Sequence, residues 1–274
     1  FSVTVTAAGP SFDLNAYPVV PQLTERSVAM LRQVYDSGAL NFGNRAGAFS
    51  KVGDESVASD AFLAPFAGDQ YNLGSFTSLQ GLVDVYRATP VHGDDPSVNS
   101  FNVDSVAAEA GFAIDSLWLP PAPGAPCDGP ASATALGCEF AATRPSIALI
   151  SFGAENVAFM NPDQFRSELQ VLVMDSLSQY GVIPVLATIP AGGGYTTEQL
   201  AEYNRAIVEV ATQSDVPLWN LWRAMHERGI GDPFSVAPEG AGVLTDAALS
   251  YGYNVRNLTA LQTLAAVREA VGIQ

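Results

Sequence analysis

The chain has 274 residues, 48% of them hydrophobic, and a formal charge of −16 from 28 acidic and 12 basic side chains. Phosphate binding needs clustered cations, and an acidic surface with a single lysine, Lys51, repels the polymer, so nucleic acid is excluded as a partner. No run approaches the roughly 20 apolar residues that cross a bilayer, so no membrane span is expected.

Residues 1–7, FSVTVTA, alternate apolar and hydroxylated side chains, which predicts a strand with Phe1, Val3 and Val5 on one face. A Pro-broken stretch follows, and together they form an extended arm at 1–22 ahead of a domain at 23–274. Such an arm packs on its own domain or offers an edge strand to a second subunit, with Phe1, Val3 and Val5 as the assembly residues. The start at Phe1, without methionine or a basic-then-apolar leader, fits a processed secretory product or a trimmed chain.

The first helix is expected after Thr24, a cap, with Val28, Leu31, Val34 and Tyr35 on one face. Beyond residue 44, β-rich runs alternate with amphipathic helices. The strand candidates are Ala48–Val52, Ser105–Ala108, Ser146–Phe152, Val182–Thr188 and Val216–Leu221, and all but the second are almost continuously apolar, as strands covered on both faces are. Asn161 with Pro162 opens one helix, Thr196 caps another, and a last helix from about Val255 spaces Leu258, Leu261 and Leu264 for core contact. This alternation predicts a parallel sheet with right-handed crossovers, whose ligands collect at the carboxyl ends of the strands. The turns there read GDES (53–56), AEAG (108–111) and GAEN (153–156).

Cys127 and Cys138 lie in a Gly-, Pro- and Ser-rich segment that a bond between them would tie. A disulfide places the chain in an oxidising compartment, secreted or at the cell surface; two unpaired surface thiols are the alternative.

Five blocks in order, FSKVGDES, SVAAEAGFAIDSL, RPSIALISFGAEN, GVIPVLATIP and YGYNVRNLTALQTL, resemble the SGNH hydrolases, the GDSL-like esterases and lipases, and in particular a bacterial secreted subgroup with a paired-cysteine loop before the third block. The resemblance covers roughly residues 45–267. It implies a three-layer α/β/α flavodoxin-like sandwich with a central, mostly parallel five-stranded sheet. It also implies a serine nucleophile, a histidine base oriented by an acid, and an oxyanion hole of backbone N–H groups and an asparagine amide, because a hydroxyl needs a base and a developing oxyanion needs donors.

Carried over residue by residue, the nucleophile position after Asp54 falls on Glu55, and Gly111 keeps the glycine role. The asparagine position falls on Glu155, with Asn156 beside it, and Asp-x-x-His falls on PEGAGVLT, so that Glu239 replaces the acid and the histidine becomes Gly242 or Val243. Ser56, one place late, is expected to turn its side chain away from the site. Of the two histidines, His226 sits on a helix one segment early and His92 in a loop. The catalytic set reads as dismantled, and a structural or binding role outside the cytoplasm is the leading expectation. It would be fulfilled by self-association or by another extracellular protein or glycan. The alternatives are an esterase using Ser56, a carboxylate-based hydrolase, or a site for a divalent cation on Asp54, Glu55 and Glu155, with no other cofactor expected. Trp118, Trp219 and Trp222 read as core or rim aromatics rather than a sugar platform, and Asn257-Leu-Thr matches a glycosylation sequon inside a helix.

Overall fold

The computed structural model describes residues 12–91, 95–127, 133–192 and 194–274. The first eleven residues, with Phe1, Val3 and Val5, lie outside the described residues, as does His92.

Four parallel strands, β1 (Arg45–Gly53), β2 (Pro145–Ser151), β3 (Ile183–Ala187) and β4 (Leu218–Trp219), form one sheet in that order. Among the described residues nine α-helices surround it: α1 (Glu25–Phe42), α2 (Glu55–Ala58), α3 (Gln80–Arg87), α4 (Ala135–Thr143), α5 (Ala154–Phe159), α6 (Pro162–Ser178), α7 (Thr197–Gln213), α8 (Leu221–His226) and α9 (Gly252–Val271). The period of two in the strands sorts their side chains. Ile147, Leu149 and Val185 join a core with Leu31 of α1 and Leu258, Leu261 and Leu264 of α9. Ala148, Ile150 and Leu186 join a second core with Phe140 of α4, Leu169 of α6 and Ile207 of α7. Because both faces are covered, the strands are mostly apolar, with Ser50, Lys51 and Ser146 buried among them, and the architecture is the three-layer α/β/α sandwich expected.

The sheet has four strands where five were expected. Ser105–Ala108 makes one parallel bridge, Ala108 to Gly53, on the edge of β1 away from β2. Gly53 N–H donates to Ala107 C=O at 3.0 Å, but the next carbonyl back along β1, that of Lys51, accepts from the Ser105 hydroxyl at 2.7 Å instead of from a backbone N–H. A side-chain donor has taken the place of a rung, and the ladder stops. With this stub counted, the second β segment lies outside the first and the remaining strands follow on its other side, a flavodoxin-type order whose switch point falls between β1 and β2.

Helix starts follow their caps. Thr24 Oγ1 accepts from Ser27 N–H at 3.1 Å, Asn161 Oδ1 from Gln164 N–H at 2.9 Å, and Thr196 with Gln199 forms a reciprocal capping box. Cys127 and Cys138 are joined, tying the loop before α4 to that helix. Trp219 is fully buried and Trp222 nearly so, while Trp118 packs half-buried against the second core. Asn257 is fully buried, its amide holding Ala61 C=O and Ala241 C=O at 2.9 Å each, so the sequon is a structural asparagine. Among the described residues no helix is long and apolar enough to cross a membrane.

Candidate functional site

At the switch point the turns after β1 and β2 enclose a cleft of about 200 Å³. Two glycines allow the close approach: a Cβ on Gly53 would overlap Ser151 C=O, and one on Gly153 would overlap the Ile189 side chain.

Asp54, 3% exposed, caps α2, with Oδ1 accepting from Ser56 N–H at 3.0 Å. Burial pushes its carboxyl above the usual carboxylate range, opposed by the hydrogen bonds from Ser56, the charge of Arg256 and the Gly153 N–H. Glu55 opens the helix, exposed at the cleft mouth. Ser56 also lines the cleft, which corrects the expectation that its side chain turns away: the first turn of α2 presents both Glu55 and Ser56 to the same opening. Ser56 is 7% exposed, and its Oγ lies 3.2 Å from Ser151 Oγ at the end of β2. Glu155, half-buried on α5, completes the acidic lining.

The remaining carried-over positions lie elsewhere. Asn156 is fully buried beneath α5, its Nδ2 donating to Met160 Sδ at 3.4 Å and its Oδ1 without a partner, so its amide does not line the cleft. Gly111 is exposed outside the cleft with φ 85°. Glu239 is likewise exposed, and Gly242 is buried against Pro65 and Gln70; neither lines the cleft. The segment that reaches it from before α9 is Asp232–Ser235, through Pro233 and Phe234. An acid followed three places later by another residue is the very spacing of Asp-x-x-His, but the fourth place holds Ser235. The Ser235 hydroxyl donates to Asp232 C=O at 2.7 Å and accepts from Gly252 N–H at 2.9 Å, so it is spent on the start of α9. His226 is exposed on α8 and stacks on Trp222 at 4.5 Å between centroids, outside the cleft. Among the described residues no imidazole lines the site.

The alternative of a cation site on the three carboxylates finds no support: among the described residues no group of three His, Cys, Asp or Glu side chains is placed to hold a metal ion. Asp54 is committed to its cap and lies nearly buried, which keeps it from turning toward Glu55 and Glu155.

A residue not singled out from the sequence lies in the cleft wall. Arg256, on α9, is 1% exposed, yet its Nε and Nη1 have no hydrogen-bond partner and its guanidinium enters no ion pair among the described residues. Its contacts are the Tyr253 ring, 5.7 Å away, and the longer-range field of Asp54. Burial is the main influence lowering its affinity for a proton. In sequence it is one arginine in a helical run, and nothing there marks it as unpaired. The apolar part of the lining is Phe152, Ile189, Pro190, Tyr195 and Leu200.

No family model matches the chain, and no curated protein is significantly similar to it in sequence. Among solved structures, the chain is similar to a lipase/acylhydrolase from Enterococcus faecalis at 16% identity, with 82% of this chain and 95% of that chain covered and a TM-score of 0.44. It is similar to Axe2, an acetylxylan esterase from Geobacillus stearothermophilus, at 15% identity, with 81% and 95% covered and a TM-score of 0.48. The psychrotrophic esterase EstA from Pseudoalteromonas sp. matches at 14% identity, with 82% and 99% covered and a TM-score of 0.46. Likenesses at this level carry no argument about what this chain does.

Proposed function

We propose that this chain is a catalytically degenerate α/β protein whose strand-end cleft binds a ligand instead of hydrolysing an ester, and that it works outside the cytoplasm. The observation that carries this reading is the company of Ser56: its hydroxyl lies between the Ser151 hydroxyl and the buried Asp54 carboxyl, and no imidazole lines the cleft among the described residues. A serine without an imidazole base is a poor nucleophile, and loss of that base alone costs several orders of magnitude in rate. Glu155 adds a carboxylate where an esterase needs a hydrogen-bond donor to an oxyanion. The disulfide supports an oxidising compartment. Assembly through the arm at 1–22, with Phe1, Val3 and Val5 as its apolar face, remains part of the proposal.

The competing reading, an esterase using Ser56, draws on that residue's position in the cleft wall. A panel of short-chain p-nitrophenyl esters separates the two. Hydrolysis by the wild-type chain is expected to stay at the buffer rate; turnover that Ser56→Ala abolishes would overturn the binding reading.

A further inference from the structure

Arg256 is the anomaly of the cleft. A guanidinium carries five N–H donors in a planar fork, matched to a carboxylate, and it cannot shed its proton to escape burial. Buried arginines are therefore paired or hydrogen-bonded as a rule, since a charge removed from water without a partner is destabilising. Arg256 is 1% exposed, has two nitrogens without partners among the described residues, and lines the cleft. The carboxylate whose field reaches it, Asp54, is held by its own cap, and among the described residues no carboxylate comes within 4.0 Å of its guanidinium.

A partner for Arg256 must be anionic, but the same small space is lined by Glu55 and Glu155. A dianion such as phosphate would face two carboxylates for one guanidinium. A molecule that is neutral overall, with a carboxylate at one end and an ammonium beside it, meets both demands. The volume of about 200 Å³ lies below the range for drug-sized ligands and suits a molecule of amino-acid size. The apolar wall of Phe152, Ile189, Pro190 and Leu200 suits an aliphatic side chain.

We propose that the cleft binds an apolar α-amino acid, its carboxylate forked on Arg256, its ammonium between Glu55 and Glu155, and its side chain against the wall formed by Phe152 and Ile189. The proposal rests on the reading of the cleft as a binding site, and it names the ligand class for it.

The test is calorimetric titration of the full chain with L-leucine, leucinamide, N-acetyl-leucine and inorganic phosphate. Leucine is expected to bind, leucinamide and N-acetyl-leucine each at least tenfold more weakly, and phosphate not measurably. Arg256→Gln should weaken leucine at least tenfold, and Arg256→Lys, which keeps the charge but loses the fork, should weaken it less. The ligand analogues require no altered protein, so a misfolded variant cannot obscure the result. Leucinamide binding as well as leucine, leucine affinity unchanged by Arg256→Gln, or no leucine binding at all would each overturn the assignment. Ester turnover dependent on Ser56 would instead overturn the underlying binding reading, and the two failures are separately visible.

Discussion

Two buried cations show how much single residues decide here. If Arg256 is kept for a ligand and not for the fold, removing it should not harm the empty protein. Arg256→Met is expected to leave urea stability unchanged or raise it by about 1–3 kcal/mol, since apolar replacements of buried charges are often neutral or stabilising. A structural arginine would instead give a marked loss. Lys51 is the other case. It is 5% exposed, donates to Phe101 C=O at 3.2 Å, and burial pushes its ammonium down to about 8, with Glu139, Asp104 and Asp60 pulling the other way. The unfolded chain keeps that proton up to 10.5, so from pH 8 to 10.5 it holds more protons than the folded chain and stability rises with pH. Below pH 8 the full cost of roughly 3 kcal/mol applies. Urea denaturation at pH 7.5 and 9.5 should show the rise in the wild type and a smaller one in Lys51→Met; equal slopes would mean that the amine is solvated.

At the scale of elements, the caps and the crosslink are the testable supports. Thr196 Oγ1 accepts from Gln199 N–H at 3.3 Å, and Thr196 N–H donates to Gln199 Oε1 at 2.8 Å. Thr196→Ala should cost about 1 kcal/mol, seen as a melting temperature lower by about 2–4 °C. The disulfide closes a loop of sequence separation 11. In the chain-entropy account it stabilises by about 3 kcal/mol, so the Cys127→Ser/Cys138→Ser double variant should melt about 6–12 °C lower. An unchanged melting temperature would mean that the loop is ordered by its other contacts. The helices with Thr24, Asn161 and Thr196 at their heads were legible because a cap is a local hydrogen bond between residues three apart. The edge segment Ser105–Ala108 was not. Whether a short run extends a ladder depends on backbone donors supplied across the gap, and here the Ser105 hydroxyl took the place of one.

For the whole molecule, the charge of −16 sets the response to solution conditions. Self-repulsion is screened by salt, so raising sodium chloride from 0.01 to 0.5 M should raise the melting temperature, and a fall would place the main electrostatic contribution in attractive pairs. Residues 12–22 belong to the body of the protein: Leu14 is buried against Val208 and Trp222, and Asn220 Nδ2 donates to Leu14 C=O at 2.8 Å and Tyr17 C=O at 2.9 Å. Assembly through the arm is therefore tested by deleting residues 1–11 alone. A lower mass in solution is the expected result, and an unchanged mass removes the arm from any assembly.

Alternation of apolar runs and capped helices was enough to determine the layered α/β architecture, because strand burial and helix amphipathicity are written in periods of two and 3.6. The same local text placed GDES and GAEN at strand ends, where Glu55, Ser56 and Glu155 line the cleft. What no local pattern could decide is which distant groups share the cleft. Asp232–Ser235 took the place assigned to Glu239–Val243, and Ser56 faced inward beside Glu55. Arg256 came to line the same cleft as Glu155, without an ion-pair partner among the described residues, because burial and pairing are properties of packing between segments some 100 residues apart and not of any one of them.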